Sequence, residues 1–179
     1  FNKLKKTKIQ DTVIIFYSGH GQKTVDNLYY LLPSDFPWDR DSTQTETGRD
    51  YGIHAKLISK LFEEIQASKV VLVLDSCYSA TIQAEFKSVT TDKNAFEDMA
   101  SSSGRFLLAS SAGTEASIED RDKIKQGLFT YVFLNALGKR VSEGIPHADS
   151  VGGNGDTFVD MNEIGFYISS KFNEQIEVV

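Results

Sequence analysis

One thiol and one imidazole carry most of the chemical interest of this sequence. The single cysteine, Cys77, lies in Asp75-Ser76-Cys77-Tyr78-Ser79, and one of three histidines, His20, lies in Tyr17-Ser18-Gly19-His20-Gly21. A cysteine beside an imidazole can lose its proton and act as a nucleophile. The imidazole can then protonate a leaving amine. Taken singly, a cysteine after a strand is most often a small apolar filler, and a lone histidine a satisfied polar residue. Placement raises this pair above that background. Each follows a run of five apolar residues, 13–17 and 70–74, and each has small neighbours. Gly19 and Gly21 allow backbone to approach a ligand, and Ser76 and Ser79 keep the surroundings of the thiol small and polar. His54, at the start of a helical pattern, and His147, in a Gly-rich loop, have weaker claims.

The two groups meet only if the elements carrying them lie side by side. Residues 13–17 and 69–74 are rich in β-branched side chains and read as strands buried on both faces, hence covered by helices on both faces. Between them, apolar residues at 53, 57, 58, 61, 62 and 65 have helical spacing and predict an amphipathic helix over 53–66. Strand, helix, strand is a parallel crossover unit. Such units gather functional groups beyond the carboxyl ends of their strands, so His20 and Cys77 are expected to face each other there. Residues 28–32 read as a short hairpin strand ending at Pro33, followed by a long polar loop over 34–52. The lysine-rich residues 1–10 read as the solvated end of a helix. Residues 105–109 form a third strand, 125–137 a helix stopped by Gly138, and 141–155 a Gly-rich loop. Asp160 with Glu163 predicts a capping box that opens a last helix, to about residue 172.

At this point the sequence resembles a known family. Ser18-Gly19-His20-Gly21, followed by Asp75-Ser76-Cys77, looks like the caspase superfamily of cysteine peptidases. Asp75 stands where caspases have glutamine, and in this the chain is similar to metacaspases and the prokaryotic orthocaspases. The likeness covers about residues 11–137 and continues loosely to the last helix. It implies an α/β fold, the caspase-haemoglobinase three-layer sandwich, with a mostly parallel central sheet and helices on both faces. One peptidase domain over 1–179 is expected, with a His/Cys portion at 11–80, a connection at 81–104 and a pocket-wall portion at 105–179.

The resemblance also implies roles. Cys77 would be the nucleophile and His20 its acid–base partner, and the N–H groups of Gly21 and Cys77 would form the oxyanion hole. Asp75 matches the acid of the first specificity pocket, with Ser18 beside it. Glu119 is the match for a second acid in the pocket wall, with Glu115 and Asp120 as alternatives in register. Caspases bind aspartate here with arginines, but this chain has no arginine at a matching place. Carboxylates crowded without a cation repel each other, and an incoming Arg or Lys relieves that, so cleavage after basic residues is expected. The long polar connection 81–104 holds Lys87 and Lys93 and is bordered by Arg105, so self-processing is expected there.

Two departures qualify the likeness. The family domain has a strand, a helix and a strand before the segment matched here, so an N-terminal segment or companion chain is expected to complete the fold. Calcium-dependent relatives carry an aspartate seven residues after the cysteine, where this chain has Ala84. Asp35 matches another acid of that region, and residues 154–160 lack the ligand spacing of an EF-hand and read as a turn. Neither a metal nor any other cofactor is therefore expected.

Composition bounds the rest. A net charge of −6 and an acidic pI argue against a nucleic-acid groove. No apolar run approaches the roughly 18 residues of a membrane span, and no secretory leader opens the sequence. A lone cysteine forms no internal disulfide and fits a reducing, cytoplasmic setting. The expected partners are protein or peptide substrates, not nucleic acid or membrane. The alternatives are a catalytically silent caspase-like module that acts by assembly, and a cysteine-protease branch governed by fused repeat domains.

Overall fold

Most of the architecture follows from where aliphatic runs can be buried. The computed structural model describes residues 2–26, 28–37, 47–76, 104–110, 119–120 and 126–176. Two compact units divide the chain, Phe1–Ala116 and Ser117–Val179. In chain order the first contains β1 (Thr12–Ser18), β2 (Gly21–Lys23), β3 (Tyr29–Leu31), α1 (Thr47–Tyr51), β4 (Ile53–His54), α2 (Ala55–Glu64), β5 (Lys69–Asp75) and β6 (Arg105–Ala109). The order β1-β5-β6 makes a parallel sheet, and β2-β3-β4 a small antiparallel one. Register pairs Val13 with Val70 and Ser18 with Asp75, so β1 and β5 end together.

One face of the parallel sheet forms the core. Val13, Ile15 and Tyr17 of β1 line up with Val70, Leu72 and Leu74 of β5 and with Leu107 of β6. Helix α2 lays Ile58, Leu61 and Phe62 on this surface, with Ile65 just beyond its end. At roughly 1.5–3 kcal/mol per buried large aliphatic or aromatic side chain, this contact is a principal source of the unit's stability.

Expectation and structure differ at several places. β1 is not buried on both faces: Ile14 is 68% and Phe16 47% exposed. The cause is position, because among the described residues β1 pairs on one side only and α2 covers one face. The central strand β5 has the expected character, with Val70, Leu72, Val73 and Leu74 all buried. The lysine-rich start is not a helix end but a 3-10 turn at Leu4–Lys6, held by Leu4 against the core and by a Lys5–Glu64 ion pair of 2.6 Å. Ile53 and His54 pair with β3, so α2 starts at Ala55.

The second unit holds a hairpin of β7 (Glu119–Asp120) and β8 (Gln126–Gly127), then α3 (Leu128–Ala136) and α4 (Met161–Ile176). Pairing of residues 126–127 with the hairpin moves the start of α3 to residue 128. Gly138, at a φ of +84°, follows its end. The capping box ahead of α4 is present: the Glu163 N–H donates to Asp160 Oδ1 at 2.9 Å, and the Asp160 N–H to Glu163 Oε2 at 3.0 Å.

Candidate active site

The site is built at the carboxyl ends of β1 and β5. Ser18 and Asp75 are register partners there, and the Gly19 N–H donates to the Asp75 carbonyl at 3.0 Å. The histidine segment and the cysteine segment therefore leave the sheet from neighbouring points.

The turn at His20 is held from two sides. Its carbonyl accepts the Leu32 N–H at 2.9 Å, and the Tyr17 hydroxyl lies 2.7 Å from both the His20 and the Leu32 carbonyl oxygens. That hydroxyl has one proton, which the two acceptors share. Burial pushes the Tyr17 phenol above its ordinary pKa, partly offset by its bond to Leu32. Its position also explains Gly19, where a Cβ would stand 2.8 Å from the Tyr17 hydroxyl oxygen. His20 itself is exposed.

Gly21 opens β2 opposite Leu31. Since Leu32 donates to the His20 carbonyl, Gly21 and Leu31 form a non-hydrogen-bonded pair of the ladder, and the Gly21 N–H turns away from β3. An N–H so directed can meet an incoming oxygen.

On the β5 side, Asp75 is 4% exposed and Ser76 is also buried. The Ser110 hydroxyl, just past β6, bridges the backbone of Ser76: it accepts the Ser76 N–H at 3.1 Å and donates to the Ser76 carbonyl at 3.1 Å. The Ser76 hydroxyl meets that of Tyr29, on β3, at 2.7 Å.

The structure thus brings together Ser18, His20, Gly21 and Asp75. Cys77 lies outside the described residues, as do Ala84, Lys87, Lys93 and Glu115. Glu119 and Asp120 are placed only as the backbone of β7, in the second unit. Tyr17, Tyr29 and Ser110 did not emerge from the sequence as contributors. Their signal was a polar atom at the end or in the middle of an apolar strand, a group that must find a partner when buried.

Other candidates have structural work. His54 caps α2, its Nδ1 accepting the Lys56 N–H at 3.1 Å. Arg105 belongs to β6, and its guanidinium donates to the Phe62 carbonyl and, at 2.6 Å, to the Ile65 carbonyl. It closes the end of α2, so cleavage after Arg105 would first require β6 to leave the sheet. Residues 154–160 form a turn whose carboxylates face backbone. Asp149 accepts the N–H groups of Gly155 and Thr157, and Asp156 accepts that of Phe158. Among the described residues no three His, Cys, Asp or Glu side chains are grouped to hold a metal ion.

Residues 1–151 match the family model described as Caspase domain. The chain belongs to the caspase-domain family. With it comes the caspase-like α/β sandwich, here built on the parallel sheet β1-β5-β6 and its helix. The caspase-domain family is one of cysteine peptidases, so hydrolase and protease describe the chain at family level. Comparisons with curated proteins and with solved structures return no match. Among the described residues of this caspase domain, no helix is long and apolar enough to cross a membrane.

Proposed function

We propose that this caspase-domain chain is a cysteine endopeptidase of metacaspase or orthocaspase type that cleaves proteins after Arg or Lys. The observation that carries the reading is the shared end of β1 and β5: Ser18 beside Asp75, with Gly19 bonded to the Asp75 carbonyl, so that His20 and the residues leading to Cys77 emerge together. In the proposed reaction the Cys77 thiolate attacks the scissile carbonyl carbon and a C–S bond forms. The oxygen takes the negative charge before the N–H groups of Gly21 and Cys77. The C–N bond then breaks, and the amine leaves with a proton from His20. Water, deprotonated by His20, hydrolyses the thioester and restores the thiol.

Specificity rests on Asp75. A buried carboxylate at the site favours a cationic side chain and repels an anionic one. Ser18 and Glu119 are proposed as further pocket residues. Activation is assigned to an upstream signal or to cutting within 81–104 at Lys87 or Lys93. A strand-bearing segment, on this chain or a companion, is proposed to pair with β1 and cover Ile14 and Phe16. A lone thiol in this sequence fits a reducing compartment, and the cytoplasm is proposed as the setting.

A fluorogenic peptide panel with Arg, Lys, Asp or Leu before the scissile bond tests the reading. Cleavage after Arg and Lys, abolished in Cys77→Ala and in His20→Ala, is the expected result. Asp75→Asn should lower kcat/KM for the Arg peptide by about 2 kcal/mol or more, the scale of removing one partner of a buried charge pair. Preference for Asp, or normal turnover by Cys77→Ala, would overturn it.

A further inference from the structure

We propose that Tyr29 and Ser110 are positioning residues that brace Ser76 and thereby set where Cys77 stands relative to His20 and Gly21. The inference rests on the peptidase reading and adds to it two residues from different elements. Ser76 is covalently joined to Cys77, so whatever fixes the Ser76 carbonyl fixes the plane of the Ser76–Cys77 peptide. That plane carries the Cys77 N–H, the second oxyanion donor.

The brace has two arms. The first is Ser110. The β5–β6 ladder ends where the Ser110 N–H donates to the Leu74 carbonyl at 2.9 Å. Beyond that point the Ser110 hydroxyl takes over from backbone, serving both the N–H and the carbonyl of Ser76. A side-chain hydroxyl thus prolongs strand-like restraint by one residue, up to the nucleophile. Serine does this because its oxygen both accepts and donates.

The second arm is Tyr29. It lies on β3, whose partner β2 begins at Gly21. Its hydroxyl reaches the Ser76 hydroxyl at 2.7 Å, with both residues buried. This bond ties the hairpin bearing Gly21 to the strand end leading to Cys77. Gly21 and Ser76, the residue before Cys77, belong to those two pieces, so the bond sets the spacing between Gly21 and the residue that leads to the proposed nucleophile. In such sites a displacement of about 1 Å can cost roughly a hundredfold in rate. Deleting one hydroxyl of a buried hydrogen-bonded pair removes a restraint on the other residue, which favours such a shift.

The test uses the whole chain with Tyr29→Phe, Ser76→Ala, their double variant, Ser110→Ala and Ser110→Thr. Turnover of an Arg peptide is normalised to thiol sites titrated with a haloacetamide, so loss of folded protein does not register as loss of rate. Tyr29→Phe and Ser110→Ala should each lower kcat per titrated site by about tenfold or more, with KM within about twofold. Ser110→Thr, which keeps the hydroxyl, should recover most of the rate. The double variant should be no slower than the slower of its two single variants, because Tyr29 acts through Ser76. If the brace sets the proposed approach of the Cys77 thiol to His20, the pH profile of Cys77 alkylation should move to higher pH in both brace variants. Normal kcat per site and an unmoved profile, with only the melting temperature lowered, would reject the brace. If Ser110→Ala gives no folded protein, Tyr29→Phe decides alone, since it deletes a single oxygen. A wild type that hydrolyses no peptide refutes the peptidase reading instead, and the alkylation profiles then judge the brace by the same criterion.

Discussion

Tyr17 spans the interface between packing and chemistry: its ring lies on the core face of β1 while its hydroxyl grips the turn at His20. Because burial raises its pKa, the folded chain holds the phenolic proton more tightly than the unfolded chain does. The stability this contributes is fully present below the unfolded value of about 10 and is lost as pH rises through the higher folded value. Tyr17→Phe should therefore be less stable than wild type at neutral pH, by about 1 kcal/mol for the lost hydrogen bond. The gap should narrow as pH rises above about 10, as read by urea unfolding along a pH series. A constant gap would assign the loss to packing. At this scale the positions of His20 just past β1 and of Asp75 at the end of β5 were legible in the sequence, since each follows an apolar strand run. Tyr29 and Ser110 were not, because a tyrosine in a short apolar run reads as filling until the strand opposite it is known. No local pattern places Tyr29 against Ser76, which is distant in sequence.

Among the elements, β6 depends on two devices at its start. Gly104 has a φ of +66°, and a Cβ there would stand 2.4 Å from the Ser68 carbonyl oxygen, so only glycine lets the strand enter beside β5. Gly104→Ala should cost about 2 kcal/mol or more, seen as a lower urea midpoint. One residue later Arg105 satisfies carbonyls at the end of α2 and stacks over the Phe62 ring, 5.4 Å from its centroid. Arg105→Met keeps much of the stem but leaves those carbonyls without their charged donor, and a loss of about 1–3 kcal/mol is expected by the same measurement. The run at 105–109 was recognisable as a strand, but its parallel pairing with β5 is seen only in the structure. The stapling of α2 by Arg105 was hidden, since sequence alone shows an arginine at a strand start but not the helix end it meets. Burial of β1 on both faces was inferred from its apolar run. An edge strand and a central strand of like composition differ only in what lies beside them, and that is a tertiary fact.

For the molecule as a whole, the exposed face of β1 is distinctive among the described residues because two large apolar side chains share it on a strand edge. Ile14 and Phe16 stand out on a strand that, among the described residues, has a partner on one side only. Such an edge invites strand addition. Ile14→Lys should lower concentration-dependent association, measured by light scattering across a dilution series, while changing stability by no more than about 0.5 kcal/mol. Unchanged scattering would place the sticky surface elsewhere. The parallel β5–β6 pair has a consequence for engineering. Its two strands are joined through residues 76–104, yet β6 is also held to β5 by a backbone ladder and to the end of α2 by the Arg105 staple. Two polypeptides divided inside 81–104 and expressed together should therefore find each other without a covalent link. Reassembly would follow second-order kinetics, and any hydrolytic signal would report the meeting of the halves, which would make the chain a scaffold for a split-protein sensor.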